Sequence, residues 1–395
     1  MVMEHKALFV GDEPLLRDIC QPLSEKLQGT YRIYHANASN QAVALIRQQR
    51  FDVVATDLTA PGADGLQFLS QAVFHQPDCP RIIIADETDR VKVAGLLVGH
   101  RYFSKPCDVD ALGDLLFRLA SFRNVVCNDK IRRLIGGLGS LPAPPETFLK
   151  LEKLLDSRNA SLQEVAELVE QDPVLTAKLL QIVNSAHIGA PTRVFSVAIA
   201  VQMLGLAMVR ILALGLHTFT AYNRRAGKTP APSELWDHSL RVATNARRIA
   251  RHNRFTQASC ERAFLAGLLH DVGRIVVHAS APQECSEITE LVRRCEIPSV
   301  IAEAQRFAAT YADIGAYLLA LWGIDDETTA IVQYLDRLDE FAGKDANALA
   351  AVHVAHVADA ENPVSYPLQM ERLTALGFPE ASRWVESPDT AARLN

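Results

Sequence analysis

Cysteine is scarce and poorly spaced for a structural role. The seven residues Cys20, Cys79, Cys107, Cys127, Cys260, Cys285 and Cys295 form no CxxC pair. An odd count without such pairs argues against a complete disulfide framework, and reduced thiols in a cytoplasmic protein are expected. A large excess of either charge is also missing. A net charge of -6 supplies no general attraction to nucleic acid or anionic lipid. There is no internal repeat, low-complexity tract, Gly-rich phosphate loop, nucleophile elbow or Cys/His zinc pattern. The opening MVMEHKALFVGDEP lacks a long apolar segment, so no signal peptide is expected. Residues 197–216 alone are long and apolar enough to suggest a bilayer span. Arg210 inside the run, with Gly205 and Gly215 dividing it, makes it core helices instead, and no membrane partner is expected.

What is present is ordinary globular material: 395 residues, 49% hydrophobic and 22% charged, enough for two or three domains. Within residues 1–122, short apolar runs (KALFV, YRIYHA, FDVVATDL, RIIIA, RYFSK) alternate with helical patterns. Five βα units in a row imply a five-stranded parallel sheet of flavodoxin-like α/β type, with ligands beyond the carboxyl ends of its strands. From residue 123 the strand signal stops. Residues 123–140 read as a linker, and Leu141-Pro142-Ala143-Pro144-Pro145 as a rigid start to an all-helical domain over 141–360. A Gly/Pro/Ser-rich loop at 226–234 separates an N-terminal helical subdomain (141–225) from a second one (234–360), and 361–395 form a C-terminal extension.

Asp12 follows the first strand, Asp57 ends the third and Lys105 ends the fifth. A parallel sheet brings all three to one edge. Two carboxylates suit Mg²⁺, and the ammonium suits a phosphoryl oxygen. The segments LFVGDE (8–13), VVATDLTAPGADGL (53–66) and YFSKPCDVDAL (102–112) resemble the receiver domain of two-component response regulators, over about residues 5–122. The resemblance implies phosphorylation of Asp57 by a sensor histidine kinase and Mg²⁺ held by Asp12 and Asp57. It also implies phosphoryl contact by Lys105, a cis Lys105-Pro106 bond and an aromatic switch at Tyr102. Two positions depart from the pattern. Gly11 stands where a second acid is usual, with Glu13 a partial substitute as metal ligand. Ala85 stands where a Ser or Thr hydroxyl normally binds the phosphoryl group and moves the switch. The competing expectation is a degenerate receiver kept for docking or homodimerisation.

In the helical part, His238, the pair His270-Asp271, and Asp359 all fall in helical contexts. Such a set could ligate one divalent transition metal, whose bound water would be a nucleophile for phosphate esters. The segments LPAPPETFLKL (141–151), LVEQDPVLTAKLLQIVNSA (168–186), VAIAVQMLG (197–205), FLAGLLHDVGRIVV (264–277), YADIGAYLLALWGI (311–324) and AVHVAHVAD (351–359) resemble the HDOD family, the HD-related output domains. Members are all-helical signalling modules without established catalysis. Tyr311 and Tyr334-Leu335 stand where two-metal relatives often carry histidines, and Arg274 replaces a common lysine, so the HD-type site reads as degenerate. Asn184-Ser185 reads as a helix cap, the three tryptophans as core or interface anchors, and Arg241, Arg247, Arg248 and Arg251 as a solvated face.

The combined expectation is a cytoplasmic, phosphorylation-gated regulator whose helical domain is not catalytic. It would act on an unidentified downstream signalling protein through protein–protein contact. The alternatives are a receiver-controlled, metal-dependent phosphohydrolase of a nucleotide or cyclic dinucleotide, and a small-molecule sensor.

Overall fold

The structure, a computed structural model, describes residues 5–58, 64–85, 99–125, 161–170, 196–206, 232–322, 324–359, 368–379 and 381–386, with scattered positions between 150 and 213. The chain divides into two compact units. The first is Met1–Pro144 with Phe307–Ala309 and Tyr317–Asp325, and the second is the remainder.

In the first unit, strands β1 (His5–Val10), β2 (Tyr31–Ala36), β3 (Val53–Asp57), β4 (Arg81–Ala85) and β5 (Arg101–Ser104) form one parallel sheet of order β2-β1-β3-β4-β5. The inner strands β1, β3 and β4 read as largely apolar runs because both of their faces are covered. Every residue of β3 and β4 is buried. The order reverses between β1 and β3, the switch point beside which open α/β sheets place ligands. Asp57 pairs in register with Ile84, and Ala85 with Ser104, so both fall at the carboxyl edge.

The first helical stretch, α1, is not one regular helix. It runs through Glu13–Leu15, a π-helical turn at Leu16–Cys20, and Gln21–Lys26. Pro22 has no amide hydrogen to give to the preceding turn, and the widened turn absorbs that loss. Helices α2 (Ser39–Gln48), α3 (Gly65–His75) and α4 (Val109–Val125) complete the described part of the unit's N-terminal segment. The helix expected between β4 and β5 lies outside the described residues. Gln76, buried after α3, ties the layers together. Its side-chain oxygen accepts from Phe51 N (2.9 Å), and its amide donates to the carbonyls of Ile46 (2.7 Å) and Gln49 (2.8 Å).

The second unit is helical throughout its described residues: α5 (Leu162–Glu170), α6 (Val197–Leu204), α7 (Pro232–His252), α8 (Gln257–Leu269), α9 (Val272–Ser280), α10 (Pro282–Cys295), α11 (Ser299–Phe307), α12 (Tyr311–Trp322), α13 (Asp326–Gln333), α14 (Ala346–Ala358), α15 (Met370–Ala375) and α16 (Ala381–Glu386). Residues of α12 belong to both units. Helix α14, ANALAAVHVAHVA, is buried at every position from Ala348 to Val357, as an all-round apolar helix must be. Two glycines allow close helix approach: a Cβ on Gly267 would lie 2.8 Å from Ala243 Cα, and one on Gly273 only 2.0 Å from the Tyr311 carbonyl oxygen.

Several boundaries differ from the sequence-based expectation. Helix α4 continues to Val125, three residues into the expected linker. Helix α7 begins at Pro232, inside the expected loop at 226–234, because proline is tolerated in a first helical turn. Part of the expected C-terminal extension is packed. Phe378 meets Phe255 edge-on at 5.3 Å, Trp384 meets His252 at 5.3 Å, and Gln369 N donates to His353 Nε2 at 3.4 Å. The remainder of the linker, the Pro-rich segment 141–145 and Asn184-Ser185 lie outside the described residues. Helix α6 ends at Gly205, whose φ of 79° suits glycine. Among the described residues no helix is long and apolar enough to cross a membrane.

Candidate functional site

The sheet edge gathers the first group of expected residues. Asp57, 3% exposed, ends β3, and Lys105 Nζ lies 2.7 Å from its Oδ1. Lys105-Pro106 is cis, and Lys105 N donates to the Ala85 carbonyl at 3.2 Å. Asp12 caps α1, its Oδ1 accepting from Leu15 N at 3.3 Å, with Glu13 exposed in the first turn. Gly11 lies against Asp57: a Cβ there would sit 3.1 Å from Asp57 Cβ and 2.5 Å from Leu15 Cδ2. Leu15 thus occupies the space that a second acid would need. His35 Nε2 is 3.0 Å from the Gly11 carbonyl oxygen. Ala85 is buried and brings no hydroxyl to the edge. Tyr102 lies on β5, paired with Ile83, and its side chain is outside the described residues. Asp12 and Asp57 carry carboxylate oxygens, the donor type that a hard cation such as Mg²⁺ prefers.

A second polar cluster lies in the helical unit. His238 projects from α7, His270 and Asp271 occupy the junction of α8 and α9, and His356 lies on α14. The His238–His270, His270–His356 and His238–His356 ring centroids are 5.2, 4.8 and 6.0 Å apart. Each histidine offers a nitrogen within 4.8 Å of the others'. His270 Nδ1 is 2.7 Å from the Gly267 carbonyl, which fixes Nε2 as the inward atom, and no hydrogen bond reaches Nε2. Asp271 Oδ2 is buried and also lacks a hydrogen bond. It lies 3.6 Å from His238 Nε2, 3.7 Å from His270 Nε2 and 3.9 Å from Arg274 Nη1.

The structure places Asp359 differently from the expected metal quartet. Its Oδ2 takes His238 Nδ1 at 2.6 Å and Arg241 Nη2 at 3.0 Å, and its Oδ1 takes Arg241 Nε at 2.8 Å. It therefore stands behind His238, on the ring nitrogen facing away from Asp271. His356, which sequence reasoning missed, stands in the cluster instead. The sequence offers a partial signal, since α14 is apolar all round apart from Asn347 and two buried histidines, but His353 is spent on the Leu335 carbonyl and only His356 joins the cluster.

Burial holds His270 and His356 below the usual imidazole range, so both are neutral near pH 7. Burial opposes ionisation of Asp271, but the neighbouring histidines and Arg274 outweigh it and keep the carboxyl ionised. For Asp359, burial is likewise outweighed by its bonds to His238 and Arg241. Neutral imidazoles beside an ionised carboxylate are the protonation state that metal binding requires. Two further acids near the cluster, buried Glu303 and half-buried Asp336, were not singled out. Glu303 accepts from Ser299 Oγ (2.5 Å) and Tyr311 N (2.8 Å), and burial raises it. Asp336 is pushed up to about 7, first by burial and then by the charges of Glu303 and Asp271.

Tyr311 turns its hydroxyl to Cys285 Sγ, 3.6 Å away. The four arginines do not form a solvated face. Arg247 is buried with its guanidinium 4.6 Å from the Phe264 ring centroid, and Arg241 pairs with Asp359. Only Arg251 and Arg241 are exposed.

Comparison with known proteins assigns both units. Residues 7–117 match the response regulator receiver domain, and residues 141–338 match the HDOD domain. The chain belongs to the HDOD family and carries a receiver domain ahead of its HDOD domain. An uncharacterized protein of Treponema pallidum (strain Nichols) is 23% identical over 221 residues, 55% of this chain and 42% of that protein. The chain thus spans less than half the length of that relative. Sporulation initiation phosphotransferase F of Bacillus subtilis (strain 168) is 28% identical over 115 residues, 29% of this chain and 91% of that protein. An HDOD domain protein of unknown function from Geobacter sulfurreducens superposes with a TM-score of 0.53 at 25% identity, covering 66% of this chain and 94% of that one. His356 and Asp359 lie beyond the span that matches the HDOD family.

Proposed function

We propose that this two-component signalling regulator is switched by phosphorylation of Asp57 by a sensor histidine kinase. Its helical domain delivers the signal by binding a downstream protein, not by catalysis. The observation that carries the proposal is the buried Asp57 carboxylate at the switch point of the sheet, with Lys105 Nζ 2.7 Å away. Lys105 would pair with an oxygen of the incoming phosphoryl group. Asp12 and Asp57, with Glu13 in the adjoining turn, would hold Mg²⁺, which when bound offsets the charge of the phosphodonor. Phosphorylation adds about -1.5 to -2 charge at an edge of fixed geometry, enough to bias a two-state equilibrium. Gly11 and Ala85 each remove one contact, so the phosphorylated state is held less firmly than in receivers that keep both.

Beryllofluoride with Mg²⁺, which mimics the phosphoryl group, tests the proposal in the full chain. Wild type should show altered hydrogen exchange within residues 232–359, and Asp57→Asn should show none. Identical responses of the two proteins would refute phosphorylation gating. Cyclic dinucleotides and nucleoside monophosphates should not be turned over. Hydrolysis abolished by both His270→Ala and Asp271→Ala would replace the non-catalytic output with a receiver-controlled phosphohydrolase.

A further inference from the structure

The histidine cluster of the helical unit plays no part in the proposed signalling reaction, yet its geometry is that of a ligand set. We propose that His238, His270, Asp271 and His356 hold a single divalent cation of the zinc class, and that Asp359 and Arg241 position His238 from behind without touching the ion.

Two buried atoms with no hydrogen bond, His270 Nε2 and Asp271 Oδ2, point to a missing partner. Buried polar groups are nearly always satisfied, and each orphan costs about 1–3 kcal/mol. Zinc binds imidazole nitrogen and carboxylate oxygen at about 2.0–2.2 Å, which separates tetrahedral donors by about 3.4 Å. Asp271 Oδ2 is already 3.6 and 3.7 Å from the Nε2 atoms of His238 and His270. The imidazole nitrogens, within 4.8 Å of one another, need to close by no more than about 1.4 Å.

Asp359 is excluded as a ligand by its own bonds, since both oxygens are taken by His238 Nδ1 and the Arg241 guanidinium. Its bond to Nδ1 turns His238 Nε2 toward Asp271, the arrangement by which a carboxylate orients a metal-binding histidine. Three imidazoles and one carboxylate suit Zn²⁺, Co²⁺, Ni²⁺ or Fe²⁺, and not the all-oxygen preference of Mg²⁺ or Ca²⁺. Four protein donors close a tetrahedral shell, as structural sites do, and leave no position for an attacking water. The ion would clamp α7, the α8–α9 junction and α14 together. This centre is independent of the receiver chemistry, so either proposal can fail alone.

The test uses the full chain, stripped with a chelator and reloaded with Zn²⁺, Co²⁺ or Mg²⁺ separately. Wild type should bind one equivalent of Zn²⁺ or Co²⁺, show the intense visible bands of tetrahedral Co²⁺, melt at higher temperature with Zn²⁺, and ignore Mg²⁺. His356→Gln should abolish the tetrahedral Co²⁺ spectrum. Asp359→Asn should keep one equivalent while weakening affinity roughly 10–100-fold. Retention of the spectrum in His356→Gln with loss of binding in Asp359→Asn would overturn the ligand assignment. So would failure of wild type to bind stoichiometric Zn²⁺ or Co²⁺. X-ray absorption of zinc-loaded wild type needs no variant to fold: three imidazole ligands support the proposal, and two or fewer contradict it.

Discussion

Gly273→Ala is the sharpest test of the helical packing beneath the His270-Asp271 pair. Gly273 lies two residues after Asp271, where α9 crosses α12. A Cβ at Gly273 would fall 2.0 Å from the Tyr311 carbonyl oxygen, 2.5 Å from Gly315 N and 3.0 Å from Gly315 Cα. All three are backbone atoms, so no side chain can rotate out of the way. Ordinary contact needs about 3.5 Å, so the helices must part by about 1.5 Å. Close-packed interiors resist this, and overpacking costs about 1–3 kcal/mol or more. A loss of at least about 3 kcal/mol is expected, roughly 6–12 °C in the melting temperature of a domain this size. Gly315→Ala makes a useful control, because a Cβ there meets only milder crowding, with Val272 Cγ1 at 3.1 Å and Gly273 N at 3.2 Å. Calorimetry of both variants in the full chain should rank Gly273→Ala well below Gly315→Ala. Equal melting temperatures would refute the close helix crossing.

Three other outcomes are expected. Gln76→Ala leaves three backbone partners unsatisfied in the first unit and should lower its stability by about 2–4 kcal/mol in urea unfolding, whereas an effect under about 0.5 kcal/mol would contradict the clamp. His353 is lowered to about 4 by burial, against the partly offsetting bond between Nδ1 and the Leu335 carbonyl. Between pH 6.5 and 4 the unfolded chain therefore binds a proton that the folded chain refuses, and stability falls with pH across that window by up to about 3 kcal/mol. His353→Gln should flatten the wild-type decline in urea midpoint between pH 7.5 and 4.5, and parallel curves would contradict the assignment. Ala85→Ser returns a hydroxyl to the sheet edge and should tighten beryllofluoride binding roughly fivefold, about 1 kcal/mol, with no change counting against the site geometry.

The receiver was legible because its chemistry is local. Asp57 ends β3 and Lys105 directly follows β5, so locating the two strands was enough to bring these side chains to one edge. The π-helical turn at Leu16–Cys20 was not legible, since nothing in the period of LLRDICQPLSEKL distinguishes it until Pro22 is weighed against its missing amide. In the helical unit the sequence named His238, His270 and Asp271, which the structure brings together, but not His356, for a physical reason. His270 and Asp271 adjoin in sequence, but Asp359 faces His238 across 121 positions and Arg241 across 118, and helical periodicity cannot tell which of these side chains turns into the cluster. The same limit misassigned Arg247. Its spacing fits an exposed stripe, while its place is fixed by Phe264 on another helix.

Phosphate on Asp57 is the requirement on which the signalling role rests, and intact-protein mass spectrometry after treatment with acetyl phosphate and Mg²⁺ measures it directly. A single acid-labile phosphoryl adduct mapping to the peptide that contains Asp57, and missing from Asp57→Asn, is the predicted result. An unmodified wild-type chain, or an adduct that persists in Asp57→Asn, would contradict it.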